Sequence, residues 1–324
     1  MTPGAGAVPY RRAMGIGRRA CVAFLVLGTA VVGPGPAVAA EGRAVPAVRN
    51  GDLVFVSNGA TVATQAPRAA AYDRLTDGGV PQYSPDGRWI AFARDGVRVR
   101  SVADGTERLI SELDPPGMPA GLAWSPDGRR IAVAAGADLV EVDVATGATR
   151  LVHTSTDGPV QEPAWSPDGS RIAYSTGSVI RLVRPDGTGL RKLTTGGTIN
   201  SDPDWSPDSR RVAFITNRYA APDAHPRAAT ELVVLPRSGQ GSPVRVSHLA
   251  RPQGIFFIDV AWSPDGRKIA ALQFNADQLP TPEDTDERFK VRAYLPDGSH
   301  SYSLTGPIVG DDGPEGLDWA PLVR

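Results

Sequence analysis

Short apolar stretches alternate with polar turn residues along most of the chain, and one pattern recurs. An aromatic residue precedes Ser-Pro-Asp-Gly or a close variant, and Ile or Val followed by Ala comes next, as in Ile131-Ala132. Pro presets φ, Asp bonds its own backbone and Gly accepts positive φ, so the tetrapeptide is a turn. The pattern therefore predicts a β-hairpin whose second strand is buried.

The hairpin pattern occurs five times in full and once truncated, at spacings of 40 to 57 residues. A period of this length, built from short strands, is typical of β-propeller blades. We interpret the aromatic residues as structural groups that fill the space between adjacent blades. They are Tyr83, Trp124, Trp165, Trp205, Trp262 and Trp319.

Each repeat continues with a third strand, a turn and a fourth strand, so a blade has strands A to D. The segment 52–57 has the pattern of a B strand without its A strand, and 317–321 that of an A strand without its B strand. Pairing of the two would complete a sixth blade and remove an open sheet edge. The predicted fold is all-β: a six-bladed β-propeller over 52–324, closed by its terminal strands.

The repeated WSPDG…IAF pattern, with Leu-Thr at the end of strand D, resembles the six-bladed TolB-type propeller with WD40-like PD repeats. The resemblance covers about residues 52–323. It implies an exported bacterial propeller, but this fold serves binding proteins, regulatory domains of peptidases and some lyases. TolB has a further N-terminal domain. Here only about twelve residues separate the predicted leader from the first strand, so we do not expect TolB's partners.

The first forty residues have the features of a secretory signal peptide. They contain four arginines, no acidic residue, an apolar run over 22–32 and a final Ala-Val-Ala-Ala. The run is too short to span a bilayer comfortably, and two Arg-Arg pairs suggest the twin-arginine route. We expect a signal peptide over 1–40, a linker over 41–51 and a secreted or periplasmic protein without stable membrane insertion. An uncleaved anchor is the alternative.

Composition excludes several classes of partner. The 34 basic and 35 acidic residues give no basic excess, so no nucleic-acid partner is expected. The single cysteine, Cys21, lies in the predicted leader, so neither a disulfide nor a cysteine-based zinc site is expected. We expect a monomer.

The strand order places the A–B and C–D turns on one face, the turn face, and the B–C and D–A loops on the other, the loop face. Two long B–C loops, about 217–229 and 275–287, and the D–A connection 249–258 lie on the loop face. Long loops on a rigid scaffold often bind ligands, although these could be tolerated insertions. The candidates there are Tyr219, His225, Phe256, Phe257 and Asp284.

Carboxylates recur near the start of strand A, where the sequence predicts the mouth of a central channel. The candidate ligand-binding residues are Glu162, Asp202, Asp259 and Glu315. Oxygen-only ligands suit a hard cation such as Ca²⁺, for which Glu162, Asp202 and Asp259 are the metal candidates; a cationic ligand group would also fit. The alternative is that these carboxylates bind backbone amides or arginines.

Catalytic motifs are absent from the sequence. It contains neither a G-x-S-x-G nucleophile elbow nor HExxH, and its four histidines have no ligand spacing. We predict no catalytic residue, and no cofactor unless Ca²⁺ binds. Two functions remain open: an exported non-catalytic binding protein that recognises a protein, peptide or envelope ligand through the loop face, and a metal-assisted hydrolase or lyase that uses the channel carboxylates. The missing histidines and nucleophile favour the first.

Overall fold

The computed structural model describes residues 52–57, 61–65, 73–113, 121–195, 199–219, 230–248, 255–275, 289–305 and 315–321. The predicted signal peptide (1–40) and linker (41–51) lie outside the described residues. Within the described residues all regular structure is β-strand. No helix in this part of the chain has the length and apolar character of a membrane span.

Twenty-four described strands form six four-stranded antiparallel sheets, which we number as blades 1 to 6. Blade 1 consists of β24 (Glu315–Trp319), β1 (Leu53–Ser57), β2 (Thr61–Gln65) and β3 (Asp73–Asp77). Blade 2 consists of β4 (Gly79–Tyr83), β5 (Trp89–Ala93), β6 (Val97–Ser101) and β7 (Glu107–Ser111). Blade 3 consists of β8 (Leu122–Trp124), β9 (Arg130–Ala135), β10 (Asp138–Asp143) and β11 (Thr149–Thr154).

The remaining blades repeat this order along the chain. Blade 4 consists of β12 (Val160–Trp165), β13 (Ile172–Thr176), β14 (Val179–Val183) and β15 (Arg191–Lys192). Blade 5 consists of β16 (Asn200–Trp205), β17 (Arg211–Thr216), β18 (Glu231–Pro236) and β19 (Val244–Arg245). Blade 6 consists of β20 (Ile255–Trp262), β21 (Ile269–Asn275), β22 (Phe289–Tyr294) and β23 (Ser301–Ser303).

The two ends of the described chain meet in blade 1. Leu53 pairs with Trp319, and the N–H of Ala320 donates to the Asp52 carbonyl at 2.7 Å. The predicted six-bladed propeller, closed by its terminal strands, is therefore confirmed. The closing strands are 53–57 and 315–319 rather than 52–57 and 317–321.

The A strands form the inner ring of the molecule, since each contacts the A strands of both neighbouring blades in the order β24, β4, β8, β12, β16, β20 and back to β24. The core lies between blades. Ala91 of blade 2 shares a buried cluster with Trp124 of blade 3, and Ala132 shares the next one with Trp165. The small residue of each B strand thus leaves room for the large aromatic ring of the following blade.

Three of the tryptophans also bond to the preceding blade. The indole N–H groups of Trp124, Trp205 and Trp319 donate to main-chain carbonyls of the preceding A strand at 3.0–3.1 Å. Those of Trp165 and Trp262 are buried without an acceptor among the described residues. Arginine guanidinium groups lie 5.0 Å from the centres of both these rings, at cation–π distance.

The SPDG turns satisfy their own polar groups. In blade 3, the Ser125 hydroxyl donates to Asp127 at 2.5 Å and accepts the N–H of Arg130 at 2.9 Å. Asp127 also accepts the N–H of Arg129, and Gly128 has a φ of 68°. In blade 5, Ser209 takes the glycine position with a φ of 58°. The turns are therefore preformed, rigid features of the turn face.

Candidate functional site

Bulges in the A strands orient the candidate carboxylates. The strand register shifts between Gln161 and Ala164 and between Ser201 and Asp204. Within these shifts, Glu162 and Asp202 have φ of 47° and 51°, which is uncommon for residues other than glycine. A bulge redirects side chains, and here it brings Glu162 to the neighbouring blade.

Glu162 connects blade 4 to blade 5. Its Oε2 atom accepts the N–H of Asp202 at 3.1 Å and the buried hydroxyl of Ser175 at 2.6 Å. The two predicted ligand residues are therefore neighbours, and this hydrogen bond joins the carboxylate of Glu162 to the backbone of Asp202.

Asp259 connects blade 6 to blade 1 in a similar way. Its Oδ1 accepts the N–H of Val260 and its Oδ2 accepts the N–H of Leu317, both at 2.7 Å. Burial raises the pKa of Asp259 to about 8, and the charges of Glu162 and Asp204 add to this rise. Both of its carboxylate oxygens are engaged by backbone donors.

Two further bridging carboxylates, Asp204 and Asp318, were missing from the sequence-based candidates. Asp204 accepts the N–H of Trp205 at 2.8 Å and that of Trp262, in the next blade, at 2.6 Å. Asp318 accepts the N–H of Trp319 at 2.8 Å and that of Tyr83, in blade 2, at 2.7 Å. Burial raises their pKa values to about 6 and about 7. The available signal was the dipeptide Asp-Trp, where the other repeats have Ala or Gln before the aromatic residue.

The carboxylates thus bridge four of the six junctions between blades. Between blades 3 and 4, Gly121 takes the place of an acid. A Cβ at Gly121 would lie 2.5 Å from Pro163 Cδ and 2.8 Å from Glu162 Cα. This junction is closed by direct backbone packing, which leaves no room for a side chain.

The metal candidates do not converge as a ligand set in the structure. Among the described residues, no group of three or more His, Cys, Asp or Glu side chains is placed to hold a metal ion. Glu315 lies in β24, paired with Val56. The alternative given for these acids, binding to backbone amides, describes Glu162 and Asp259. The expectation of no cofactor unless Ca²⁺ binds stays a prediction.

The loop-face candidates are separated by the structure. Tyr219 follows β17, and the guanidinium of Arg245, which is paired with Glu231, lies 4.9 Å from its ring centre. His225 and Asp284 lie outside the described residues. The placement of Phe256 and Phe257 in the D–A connection was wrong, because β20 already begins at Ile255.

The two phenylalanines have different environments within β20. Phe257 is 4% exposed and packs edge-on against Tyr294, with ring centres 5.8 Å apart, so it belongs to the core. Phe256 is half-buried, and its ring centre lies 5.9 Å from that of Phe274. Phe274 in turn lies 4.9 Å from Phe289. We call Phe256, Phe274 and Phe289 the aromatic cluster; it lies where β20 begins, β21 ends and β22 begins.

The turn face carries a cleft of about 330 Å³ between blades 2 and 3. The turns 84–86 and 126–128 line it, together with Trp89, Trp124 and Arg108. Trp89 is half-buried at the position that Arg or Lys occupies in the other SPDG repeats. The guanidinium of Arg108 lies 6.0 Å from its ring centre.

Comparison with known proteins agrees with this architecture. Residues 94–278 match the model of the PD40 family, the TolB beta propeller domain. TolB from Acinetobacter baumannii is 15% identical with a TM-score of 0.64, over 84% of this chain and 67% of that chain. A chain of the Nidogen/Laminin complex is 12% identical with a TM-score of 0.62, and the match covers 84% of this chain and 99% of that chain.

An enzyme shares the fold as well. Oligogalacturonate lyase in complex with manganese is 12% identical with a TM-score of 0.52, over 80% of this chain and 86% of that one. No curated protein sequence matches the chain. At these identities the solved structures show a common fold. The activity has to be inferred from the residues of the site.

Proposed function

This chain belongs to the TolB β-propeller domain family (PD40), and on that basis we propose that it is an exported, non-catalytic binding protein of the cell envelope. It recognises a protein, peptide or envelope ligand through its loop face. The basic, apolar and small-residue pattern of residues 1–40 supports export.

The aromatic cluster is the observation that carries the proposal. Phe256 and Phe274 are half-buried, whereas Phe289 is 5% exposed and packs against Phe274. All three are held by strands, so their positions are set before a ligand arrives. Partly exposed aromatic rings on a rigid base supply contact area at a low cost in side-chain entropy, as at many protein interfaces.

The bonds of the inner carboxylates also support binding over catalysis. Glu162 and Asp259 accept backbone N–H groups of the neighbouring blade, so these carboxylates already serve as acceptors that link blades. Removing such an acceptor leaves buried N–H groups unsatisfied, at a cost of about 1–3 kcal/mol each. A chain of the Nidogen/Laminin complex has the same fold within a protein complex, so the architecture is compatible with a binding role.

Capture from a cell-envelope extract by the immobilised protein tests the proposal. We expect the double variant Phe256→Ser/Phe274→Ser to lose partners that the wild type retains. The control is Leu151→Ser on the outer strand β11, where Leu151 is 55% exposed; this variant should capture the wild-type set. Identical capture by all three proteins, with unchanged melting temperatures, would remove the loop face from consideration.

A further inference from the structure

Four arginines from blades 4 and 5 come together on the turn face, opposite the loop face. Arg171 precedes β13, Arg184 follows β14, Arg191 lies in β15, and Arg237 follows β18 of the next blade. We call them the arginine cluster. An inference about them is independent of the loop-face proposal.

Gly189 allows two of these guanidinium groups to approach each other. A Cβ at Gly189 would lie 2.8 Å from Nη1 of Arg171 and 2.8 Å from Nη1 of Arg184. Gly189 has a φ of 65°, which glycine adopts without strain. Both Nη1 atoms therefore approach the same point beside the Gly189 backbone, which a side chain would otherwise occupy.

The other two arginines join the blades at the same place. Arg191 donates through Nη2 to the carbonyl of Arg237 and through Nη1 to that of Ser238 at 3.3 Å. Arg237 pairs with Asp168 of the blade 4 turn at 2.5 Å. These contacts hold the arginine cluster across the junction between blades 4 and 5.

The charges of the cluster are only partly balanced. Burial lowers the pKa of Arg171, and the charges of Arg184 and Arg237 lower it further. Burial likewise lowers the pKa of Arg191, with Arg171 and Arg237 adding to the effect. Asp168 and Asp186 are the acidic groups that act on Arg171 in return. Four guanidinium groups therefore face two carboxylates.

Blade 3 shows how the same arrangement is neutralised. There Glu141, whose side chain is 4% exposed, lies 3.4 Å from Arg130 and 2.5 Å from Arg150. Arg130 and Arg171 occupy the same position of their repeats, immediately before Ile. The blade therefore places one buried carboxylate between an arginine of strand B and one of strand D.

The corresponding position in blade 4 is apolar. Glu141 pairs with Ala132 and Arg150, and Leu182 pairs with Ala173 and Arg191 in the same register. Leu182 is therefore the counterpart of Glu141. Blade 4 keeps both arginines, lacks the carboxylate between them, and gains Arg184 and Arg237 beside them.

We infer that the arginine cluster binds a tetrahedral oxyanion, the phosphate or sulfate group of a ligand, which supplies the negative charge that Glu141 supplies in blade 3. Guanidinium groups bind such oxygens through paired N–H donors. Arg171, Arg191 and Arg237 are half-buried and Arg184 is exposed, so solvent screens the bonds of the first three less. Arg191 is held by two main-chain carbonyls and Arg237 by Asp168. Arg171 and Arg184 make longer bonds, to the Gly189 carbonyl at 3.4 Å and the Thr188 hydroxyl at 3.2 Å, so they are the groups that close on the anion.

Calorimetric titration of the full chain with sodium phosphate and with sodium sulfate, at low ionic strength, tests the site. The two salts distinguish the source of the oxyanion, and binding of either supports the inference. Arg171→Gln/Arg184→Gln should weaken binding at least about tenfold, since hydrogen bonds between charged groups are lost. The control Arg129→Gln/Arg210→Gln changes two exposed arginines of other turns and should stay within about twofold.

Leu182→Glu provides a second and opposite test. It places a carboxylate in the register of Glu141, so it should compete with the oxyanion and abolish binding. Leu182→Gln puts a polar group without the charge at the same fully buried position and should keep binding. The inference is overturned if neither salt binds the wild type. It is also overturned if the control loses as much affinity as Arg171→Gln/Arg184→Gln, because the attraction would then be a general property of the face.

Discussion

Asp318, in β24, the last of the described strands, accepts the backbone N–H of Tyr83, in the first SPDG repeat, at 2.7 Å. Its other oxygen accepts the N–H of Trp319 at 2.8 Å. One carboxylate therefore joins blade 1, which contains both terminal strands, to blade 2. Asp204 and Asp259 make the same kind of bond at two other junctions, so the ring is held by buried acids as well as by packed aromatic rings.

Asp318→Asn should destabilise the propeller by about 1–3 kcal/mol, because the amide NH₂ group would face a backbone N–H and leave it unsatisfied. Urea unfolding of the wild type and the variant measures this difference. Asp77→Asn is the matched control, since Asp77 is exposed and its carboxylate lies 3.8 Å from the guanidinium of Arg74, which is also exposed. Equal stability of the two variants would contradict the bridging role of Asp318.

The bridging acids Asp204, Asp318 and Asp259 should make the folded propeller less stable as the pH rises from about 4 to about 8. Their folded pKa values, about 6 for Asp204, about 7 for Asp318 and about 8 for Asp259, lie above the ordinary value of 3.8. The native state therefore binds more protons than the unfolded chain in this window, and its stability decreases as they are released.

The turn acids of blades 3 to 6, Asp127, Asp168, Asp208 and Asp265, have lowered pKa values and act in the opposite direction at lower pH. In blade 3, the hydrogen bond from the Ser125 hydroxyl is the largest cause that lowers the pKa of Asp127. The bond from the Arg129 backbone N–H lowers this pKa further. The contribution of the turn acids is present above pH 4 and is lost as the pH falls further. The free energies of unfolding at pH 5 and pH 8 test the sign of the pH dependence that the bridging acids produce. Asp259→Asn should reduce the difference in stability between the two pH values. A wild type that is more stable at pH 8 than at pH 5 would argue against buried, proton-binding acids.

Gly121→Ala should cost more than about 3 kcal/mol, because its Cβ would overlap Pro163 and Glu162 and the backbone has a φ of 139°. Gly128→Ala has the same change in a turn where nothing lies within 4 Å of the added Cβ. It should cost only about 1–2 kcal/mol from its left-handed backbone. Thermal unfolding compares the two, and a similar loss in both would show that the close packing of blades 3 and 4 is unimportant.

Glu141→Gln should lower the free energy of unfolding by about 1–2 kcal/mol, because it removes the charge between Arg130 and Arg150. A fully buried pair would lose more, but these arginines are 37% and 50% exposed and solvent compensates in part. The measurement is urea unfolding at two salt concentrations. Added salt should narrow the difference, and a difference that grows with salt would be inconsistent with an ion-pair origin.

The sequence was sufficient to predict the architecture because the repeat is local and has a physical meaning at each position. The turn residues, the buried Ile-Ala pair and the count of strands together predicted six blades and their closure. The closing strands were displaced by up to two residues, since β24 extends back to Glu315 and a register shift follows Val54. Such shifts depend on the partner strand and leave no pattern in one segment alone.

The site residues were harder to predict because they depend on contacts between blades. Asp204 and Asp318 were overlooked since their donors belong to other repeats, 58 residues and 235 residues away. Phe257 was placed in a loop because an apolar pair near a strand end does not reveal where the strand begins or which of the two side chains is buried. The arginine cluster likewise appears only when the register aligns Leu182 with Glu141.

The claim that the inner carboxylates hold the blades together, and leave function to the surface, is tested most directly by titrating Ca²⁺ and Mn²⁺ into the full chain and the Asp259→Asn variant. We predict that neither ion produces a heat of binding or raises the melting temperature of the wild type. Asp259→Asn should melt at a lower temperature without any metal. Binding that stabilises the wild type and is lost in Asp259→Asn would contradict the account and favour a metal-assisted hydrolase or lyase.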